Sequence, residues 1–165
     1  MSAASGLTID LSAIQANWKS LADMAPGARA GAVVKADAYG LGAARVAPAL
    51  YDAGARDFFV ALASEGRAIR PLLAQDADIY VLSGHMEGED LTGLIPVLNS
   101  PEQFFRDRAL RPRGAFAIQL DSGMNRLGLE PGEWAAIRAE ALAAGPRLVM
   151  SHLALSLIHI SEPTR

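Results

Sequence analysis

The sequence predicts an α/β fold with a parallel sheet, in the form of an incomplete TIM-type (β/α)8 barrel of about six β/α units. Short apolar runs alternate with segments of helical periodicity, which is the pattern of βαβ units. A lysine at the end of the first predicted strand adds to this, because active sites of β/α barrels lie at the C-terminal ends of the strands. A complete barrel has eight strands and ~250 residues. The 165 residues here therefore predict a barrel without its last units.

In the first half of the chain, Asp10 or Ser12 can cap a first helix that ends near residues 25–27. Residues 30–34 form the first predicted strand. A helix over residues 43–53 closes at Gly54, because glycine adopts the left-handed conformation that ends helices. Strands then follow at residues 57–61 and 78–82, on either side of a helix that begins at Ser64 and Glu65.

The second half repeats this alternation less regularly. Residues 94–98 predict a short strand, although Pro96 lacks a backbone N–H and argues against it. Ser100 followed by Pro101 is typical of a helix start. The remaining predicted elements are a strand at residues 114–120, a helix at residues 131–144 and a strand at residues 147–151.

Composition excludes several classes of protein. With 51% hydrophobic and 20% charged residues, the chain has the composition of a globular domain. The net charge is −3 and the arginines are scattered, so we expect no nucleic-acid partner. The N-terminus lacks a signal-peptide pattern and no apolar run is long enough to span a membrane, so a cytoplasmic location is expected.

Lys35 is one of only two lysines in the chain, the other being Lys19. It ends the apolar run before a glycine-containing turn, where a primary amine can be held by a stiff strand and still attack an aldehyde. Pyridoxal phosphate is the usual aldehyde cofactor. From position alone, a solvated lysine at a strand end is the commoner interpretation.

Four sequence motifs, in order along the chain, alter that interpretation. They are TIDLSAIQAN at residues 8–17, AVVKADAYGLG at 32–42, DSGMNRLG at 121–128 and SHLA at 151–154. Together they resemble the alanine racemase family, and the resemblance covers Thr8 to Ala154. It implies a pyridoxal 5'-phosphate enzyme that interconverts L- and D-alanine and supplies D-alanine for peptidoglycan in the bacterial cell wall. It also implies a C-terminal β domain, which we expect to be missing from this sequence.

The same resemblance implies roles for four residues. Lys35 matches the lysine that binds the cofactor covalently and then acts as the base facing D-alanine. Tyr39 matches a tyrosine that contacts the cofactor phosphate, and His152 a histidine that packs beside the cofactor ring. Arg126 matches the arginine that lies over the cofactor and binds the substrate carboxylate, a task suited to the planar donors of guanidinium.

One position departs from the family pattern. Gln119 stands where relatives often carry a carboxylated lysine that pairs with the arginine, so we predict no lysine carbamate and an arginine with a neutral neighbour. We interpret Asp121 as shaping its loop and His85 as a solvated loop residue. The three histidines offer no metal-binding cluster, and no metal is expected.

The domain prediction assigns residues 1–154 to a partial racemase barrel domain and residues 155–165 to a non-native tail. The tail, LSLIHISEPTR, resembles the translation of a sequencing adapter. A barrel of six units would leave sheet edges and apolar surface open to water. We therefore expect this fragment to be inactive, and to be insoluble or chaperone-bound when expressed alone.

Alternatives within this family resemblance stay open. A related racemase could act on serine or lysine, and a single-domain pyridoxal-phosphate homeostasis protein shares the barrel and the lysine without racemising. The ADAYG continuation after Lys35 argues against the latter. The resemblance also implies a homodimer, in which a tyrosine of the second subunit's C-terminal domain serves the opposite face of the substrate.

Overall fold

The computed structural model describes residues 6–153, and residues 155–165, to which the tail prediction applies, lie outside that range. The first five strands carry buried apolar residues, and β6 has only half-buried and exposed ones. The strands are β1 Ala32–Val33, β2 Asp57–Val60, β3 Asp78–Val81, β4 Ile95–Leu98, β5 Ala117–Leu120 and β6 Leu148–Ser151.

Helical segments lie between most of the strands. They are α1 Leu11–Asp23, α2 Lys35–Tyr39, α3 Ala43–Ala53, α4 Ala63–Ile69, α5 Pro101–Leu110 and α6 Pro131–Ala143, with a 3-10 helix at Arg70–Leu72. Asp10 caps α1, accepting hydrogen bonds from the backbone N–H groups of Ser12 and Ala13. Hydrogen bonds from Ser12 hold the pKa of the Asp10 carboxyl below its ordinary value. Ser100 caps α5 in the same way by accepting from the Gln103 N–H.

The strands form a parallel sheet in sequential order, β1-β2-β3-β4-β5-β6. Strands that follow each other in the chain pair directly, as in the registers Ala32 with Phe58 and Ala117 with Leu148. Sequential parallel β/α units are the connectivity of a (β/α)8 barrel. The predicted fold class, an incomplete barrel of six β/α units, is therefore confirmed.

The chain divides into two compact units, residues 6–79 and residues 80–153 of the described part. In the first unit, the apolar face of α3 is buried through Val46, Ala47 and Leu50. The second unit has a core in which the rings of Phe104 and Phe116 pack at a tilt of 59°, with centroids 6.0 Å apart. This core comprises Leu98, Phe104, Phe116, Ile118, Leu129, Ile137 and Ala141.

Pro96 does not prevent β4 from forming, although it argued against this strand in the sequence. All four residues of β4 are buried, and Pro96 stands in register with Val81 of β3. Burial of the other three side chains, Ile95, Val97 and Leu98, each worth ~1.5–3 kcal/mol, outweighs the one donor that proline lacks. No helix within residues 6–153 is long and apolar enough to cross a membrane.

Candidate functional site

Lys35 lies two residues after the C-terminal end of β1, separated from the strand by Val34. The preceding residue, Val34, is buried and donates its N–H to the carbonyl of Phe59 in β2, at 2.9 Å, which fixes the backbone entering Lys35. The Lys35 side chain is half-buried. Within residues 6–153, no carboxylate lies within ion-pair distance of its amine. The backbone before Lys35 is thus fixed by the sheet, while the amine at the end of its side chain has no carboxylate partner within the described residues.

The turn after Lys35 ends in Gly40 and Gly42, the glycines that the sequence indicated, with φ angles of 83° and 91°, but it begins as a left-handed helical turn before them. Ala36, Asp37, Ala38 and Tyr39 have φ angles of 52° to 56°. Left-handed backbone costs an L-residue roughly 1–2 kcal/mol, and none of these four residues is glycine. Such strain persists only where surrounding contacts impose it, and it is concentrated at functional sites.

Two acidic side chains hold this turn. The Asp37 carboxylate accepts a hydrogen bond from the Ala43 N–H at 2.7 Å, at the start of α3. The Glu65 carboxylate, from the first turn of α4, accepts one from the Ala36 N–H at 2.8 Å. From the sequence, Glu65 is expected only at the start of a helix. Its contact with Ala36 was not predictable, because a spacing of 29 residues carries no local signal.

Tyr39 ends the left-handed turn, four residues after Lys35. Its side chain is 64% exposed, and no hydrogen bond from its phenol is formed within the described part of the chain. A phenol can donate to a phosphate oxygen. The predicted role of Tyr39 as a phosphate contact is compatible with this exposure and stays a prediction.

Arg126 lies in the loop that follows β5 in the second unit. Asp121 shapes the loop by accepting hydrogen bonds from the N–H groups of Gly123 and Met124, at 2.8 and 2.9 Å. The backbone hydrogen bond from Gly123 is the main reason that the pKa of Asp121 lies below its ordinary value. The structural role predicted for Asp121 agrees with these contacts.

Gly128 closes the loop and is required there. Its φ is +118°, and a Cβ at this position would lie 2.8 Å from the Asp121 nitrogen and 2.8 Å from the Gln119 Cγ. The close approach allows Asp121 N to donate to Leu129 O and Leu129 N to donate to Gln119 O, both at 2.9 Å. The loop is thereby fastened at both ends, and Arg126 lies between the fastened points.

The Arg126 side chain is exposed and borders a cavity of about 410 Å³. The cavity is also lined by Asn99, Ser100, Gln103, Asp121 and Glu130, among others. No carboxylate in residues 6–153 forms an ion pair with Arg126. A guanidinium without an internal partner can bind a carboxylate from outside the chain.

Gln119, which stands where the family often has a carboxylated lysine, is 4% exposed. Its amide nitrogen donates to the carbonyl of Leu120 at 3.4 Å, and it makes no hydrogen bond to Arg126. The two side chains are therefore independent in this structure.

His152 follows β6 and is exposed. It is next to Ser151, whose hydroxyl lies 2.6 Å from that of Ser122 in the Arg126 loop.

His85 is not solvated, and its interpretation from sequence was wrong. It is 3% exposed and its Nδ1 lies 2.9 Å from the carboxylate of Asp107, which is fully buried on α5. Arg111 and Arg108 pair with the same carboxylate. The sequence could not show this, because the partner lies 22 residues away. No cluster of potential metal ligands occurs within residues 6–153.

Comparison with known proteins shows the family. The model of the alanine racemase N-terminal domain matches residues 9–164. An alanine racemase of Cereibacter sphaeroides strain ATCC 17025 is 58% identical over 153 residues, which is 90% of this chain and 44% of that protein. One of Dinoroseobacter shibae is 56% identical over 154 residues. The chain thus spans less than half the length of these relatives.

Solved structures agree. Alanine racemase of Bartonella henselae, crystallised with covalently bound pyridoxal phosphate, has a TM-score of 0.82 and 35% identity over 89% of this chain and 44% of its own. The biosynthetic alanine racemase of Pseudomonas aeruginosa has a TM-score of 0.79 and 36% identity, covering 90% of this chain and 44% of its own. The chain therefore belongs to the alanine racemase family, and it corresponds to the N-terminal part of these proteins.

Proposed function

We propose that this chain is the cofactor-holding part of a pyridoxal-phosphate-dependent alanine racemase, in which Lys35 holds the cofactor covalently. The observation that carries the proposal is the Lys35 amine, anchored at the end of β1 and without a carboxylate partner within the described residues. The neutral amine is the form that attacks an aldehyde, whereas an ion pair with a carboxylate would favour the ammonium form. The covalently bound pyridoxal phosphate in the Bartonella henselae relative supports this assignment.

The residues present fit this cofactor. An amine can attach to its aldehyde, the exposed phenol of Tyr39 can donate to its phosphate, and His152 at the end of β6 can pack beside its ring. When bound, pyridoxal phosphate supplies an electron sink for the bond pair left when the Cα proton departs. The protein supplies position and proton transfer.

The chain's own side chains divide the remaining work. Arg126 binds the carboxylate of the amino acid through its planar pair of N–H donors and so fixes which face of Cα is presented. The Lys35 amine, once free, accepts the Cα proton of D-alanine, and as an ammonium it returns a proton to the same face in the reverse direction. We further propose that the whole racemase is a homodimer, that it acts in the cytoplasm, and that it supplies D-alanine for peptidoglycan.

Activity is tested in a chimera, because the chain spans 44% of the length of its relatives. Residues 1–153 of this protein are joined to the part of the Cereibacter sphaeroides relative that they do not match, and alanine interconversion is followed by circular dichroism. We expect racemisation, and a loss of about 10²–10⁴-fold in kcat for Lys35→Ala, the range for a removed general base. Lys19→Ala, an exposed position on α1, is the matched control.

Arg126→Lys in the same chimera keeps the charge but loses the planar fork. We expect kcat/KM for alanine to fall about 10–100-fold, the equivalent of one or two charge-assisted hydrogen bonds. A chimera in which Lys35→Ala racemises as fast as the unmodified protein would refute the proposed function.

A further inference from the structure

We propose that Glu65 is a positioning residue for Lys35, holding the backbone that carries the reactive amine. This inference rests on the proposed function, because it gives Lys35 the role stated there. Glu65 lies at the start of α4 in the first unit, and its side chain is half-buried. It forms no ion pair within residues 6–153, so its carboxylate is engaged entirely with backbone N–H groups.

Both carboxylate oxygens are used, and they reach different parts of the fold. Oε1 accepts a hydrogen bond from the N–H of Ala36, the residue directly after Lys35, at 2.8 Å. Oε2 accepts from the N–H of Ala61, just beyond β2, at 2.7 Å, and from that of Leu62 at 3.3 Å. One side chain therefore ties the end of β1 to the end of β2 at the point where Lys35 leaves the sheet.

The left-handed turn explains why such a tie is needed. Four consecutive non-glycine residues with positive φ cost together roughly 4–8 kcal/mol relative to ordinary backbone. The far end of the turn is held by Asp37, through the Ala43 N–H. The near end, next to Lys35, is held by Glu65. If the near end is released, the peptide after Lys35 can rotate toward right-handed backbone, and the direction of the amine changes with it.

The chemistry of the side chain is specific to this geometry. Glutamine has one acceptor oxygen and an amide nitrogen that cannot accept, so it can serve Ala36 or Ala61 but not both. Aspartate is shorter by one methylene and cannot span the same pair of strand ends. We therefore expect the order glutamate, glutamine, alanine in how well the position of Lys35 is maintained.

The experiment compares the two lysines of the same molecule. The 165-residue chain is exposed to pyridoxal phosphate, reduced with borohydride and digested, and the ratio of labelled Lys35 to labelled Lys19 is measured by mass spectrometry. Hydrogen exchange of a peptide that begins several residues before Lys35 and ends at Gly42 includes the Ala36 amide. The variants are Glu65→Ala and Glu65→Gln.

Glu133→Ala is the matched control. Glu133 also lies in the first turn of a helix and accepts the N–H of Glu130 at 2.9 Å, but it holds no residue near Lys35 in sequence and belongs to the second unit. It reproduces the loss of a helix-start hydrogen bond without releasing the left-handed turn. Thermal melts of all variants show whether each one is folded.

We expect Glu65→Ala to lower the labelling ratio about ten-fold and to speed exchange at residues 35–42, the effect of losing hydrogen bonds to a charged group. Glu65→Gln should give an intermediate ratio, and Glu133→Ala an unchanged one.

An unchanged ratio in both Glu65 variants, with strong labelling of Lys35 in the unmodified chain, would overturn the positioning role alone. A ratio of labelled Lys35 to labelled Lys19 of one or less in the unmodified chain would instead refute the proposed function, and the positioning role with it. Where Glu65→Ala fails to fold, Glu65→Gln decides, and the same variants in the chimera serve if the isolated chain aggregates.

Discussion

Replacing Gly128 with alanine tests how the Arg126 loop is built. The new Cβ would lie 2.8 Å from Asp121 N, 2.8 Å from Leu120 C and 2.8 Å from Gln119 Cγ, so two of the three collisions are with backbone. Alanine would also have to adopt a φ of +118°. Backbone strain of this kind costs ~1–3 kcal/mol, and overpacking a filled site a further ~1–3 kcal/mol.

We therefore expect Gly128→Ala to lower the free energy of unfolding by about 2–6 kcal/mol, a large part of the ~5–15 kcal/mol of a typical domain. Gly132→Ala is a stringent control, because it is the same substitution four residues away. Gly132 lies in α6 with nothing within 4 Å of an added Cβ. Alanine there should stabilise the protein by up to ~1 kcal/mol through helix propensity.

The assay is urea denaturation of both variants beside the unmodified chain, or of the chimera carrying them, followed by tryptophan fluorescence. Trp134 packs against the core of the second unit and reports on its unfolding. Equal midpoints for the two alanine variants would refute the argument that the Gly128 backbone is sterically required.

Two further predictions concern charged groups of the second unit. Asp107→Ala leaves His85, Arg108 and Arg111 without their shared carboxylate, and we expect a loss of ~3–5 kcal/mol in unfolding free energy. The control Asp52→Ala, at an exposed position, should change this free energy little. Similar losses in both variants would contradict the stabilising role of the buried cluster. The pKa of Asp121 is lowered in the folded protein from its ordinary value of 3.8. Its carboxylate therefore stabilises the fold at pH values above 3.8, and this stabilisation disappears as the pH falls through the lowered pKa. Urea titrations at several pH values should show the advantage over Asp121→Asn shrinking below about pH 4, and a difference independent of pH would contradict this assignment.

Elements with local signals were predictable from the sequence. Helix α3 spans Ala43–Ala53, as the apolar spacing and Gly54 predicted. The cap of α5 at Ser100 and the proline after it were likewise read from neighbouring residues. Strands β2 and β3 begin where predicted, at Asp57 and Asp78, whereas the other strands begin later, as in β5, which starts at Ala117 rather than at residue 114. An apolar run marks burial, whereas a strand also needs a hydrogen-bonded neighbour, and the two do not coincide at strand ends.

What the sequence could not predict depends on contacts distant in the chain. The left-handed turn contradicts the local preference of alanine for right-handed helix, and contacts from Ala43 and Glu65 accompany it. The buried pair of His85 and Asp107 joins a loop to a helix. For Lys35 and Arg126 the sequence indicated position and chemistry together, because each follows an apolar strand. Their roles stay proposals.

The site at which borohydride fixes pyridoxal phosphate is the most direct measurement of whether Lys35 binds this cofactor. It is determined on the unmodified chain or, where that chain is insoluble, on the chimera. We predict one predominant pyridoxyl group, on the peptide containing Lys35, and its loss in Lys35→Ala without compensation at Lys19. Labelling that is equal at the two lysines, or that persists undiminished in Lys35→Ala, would contradict it.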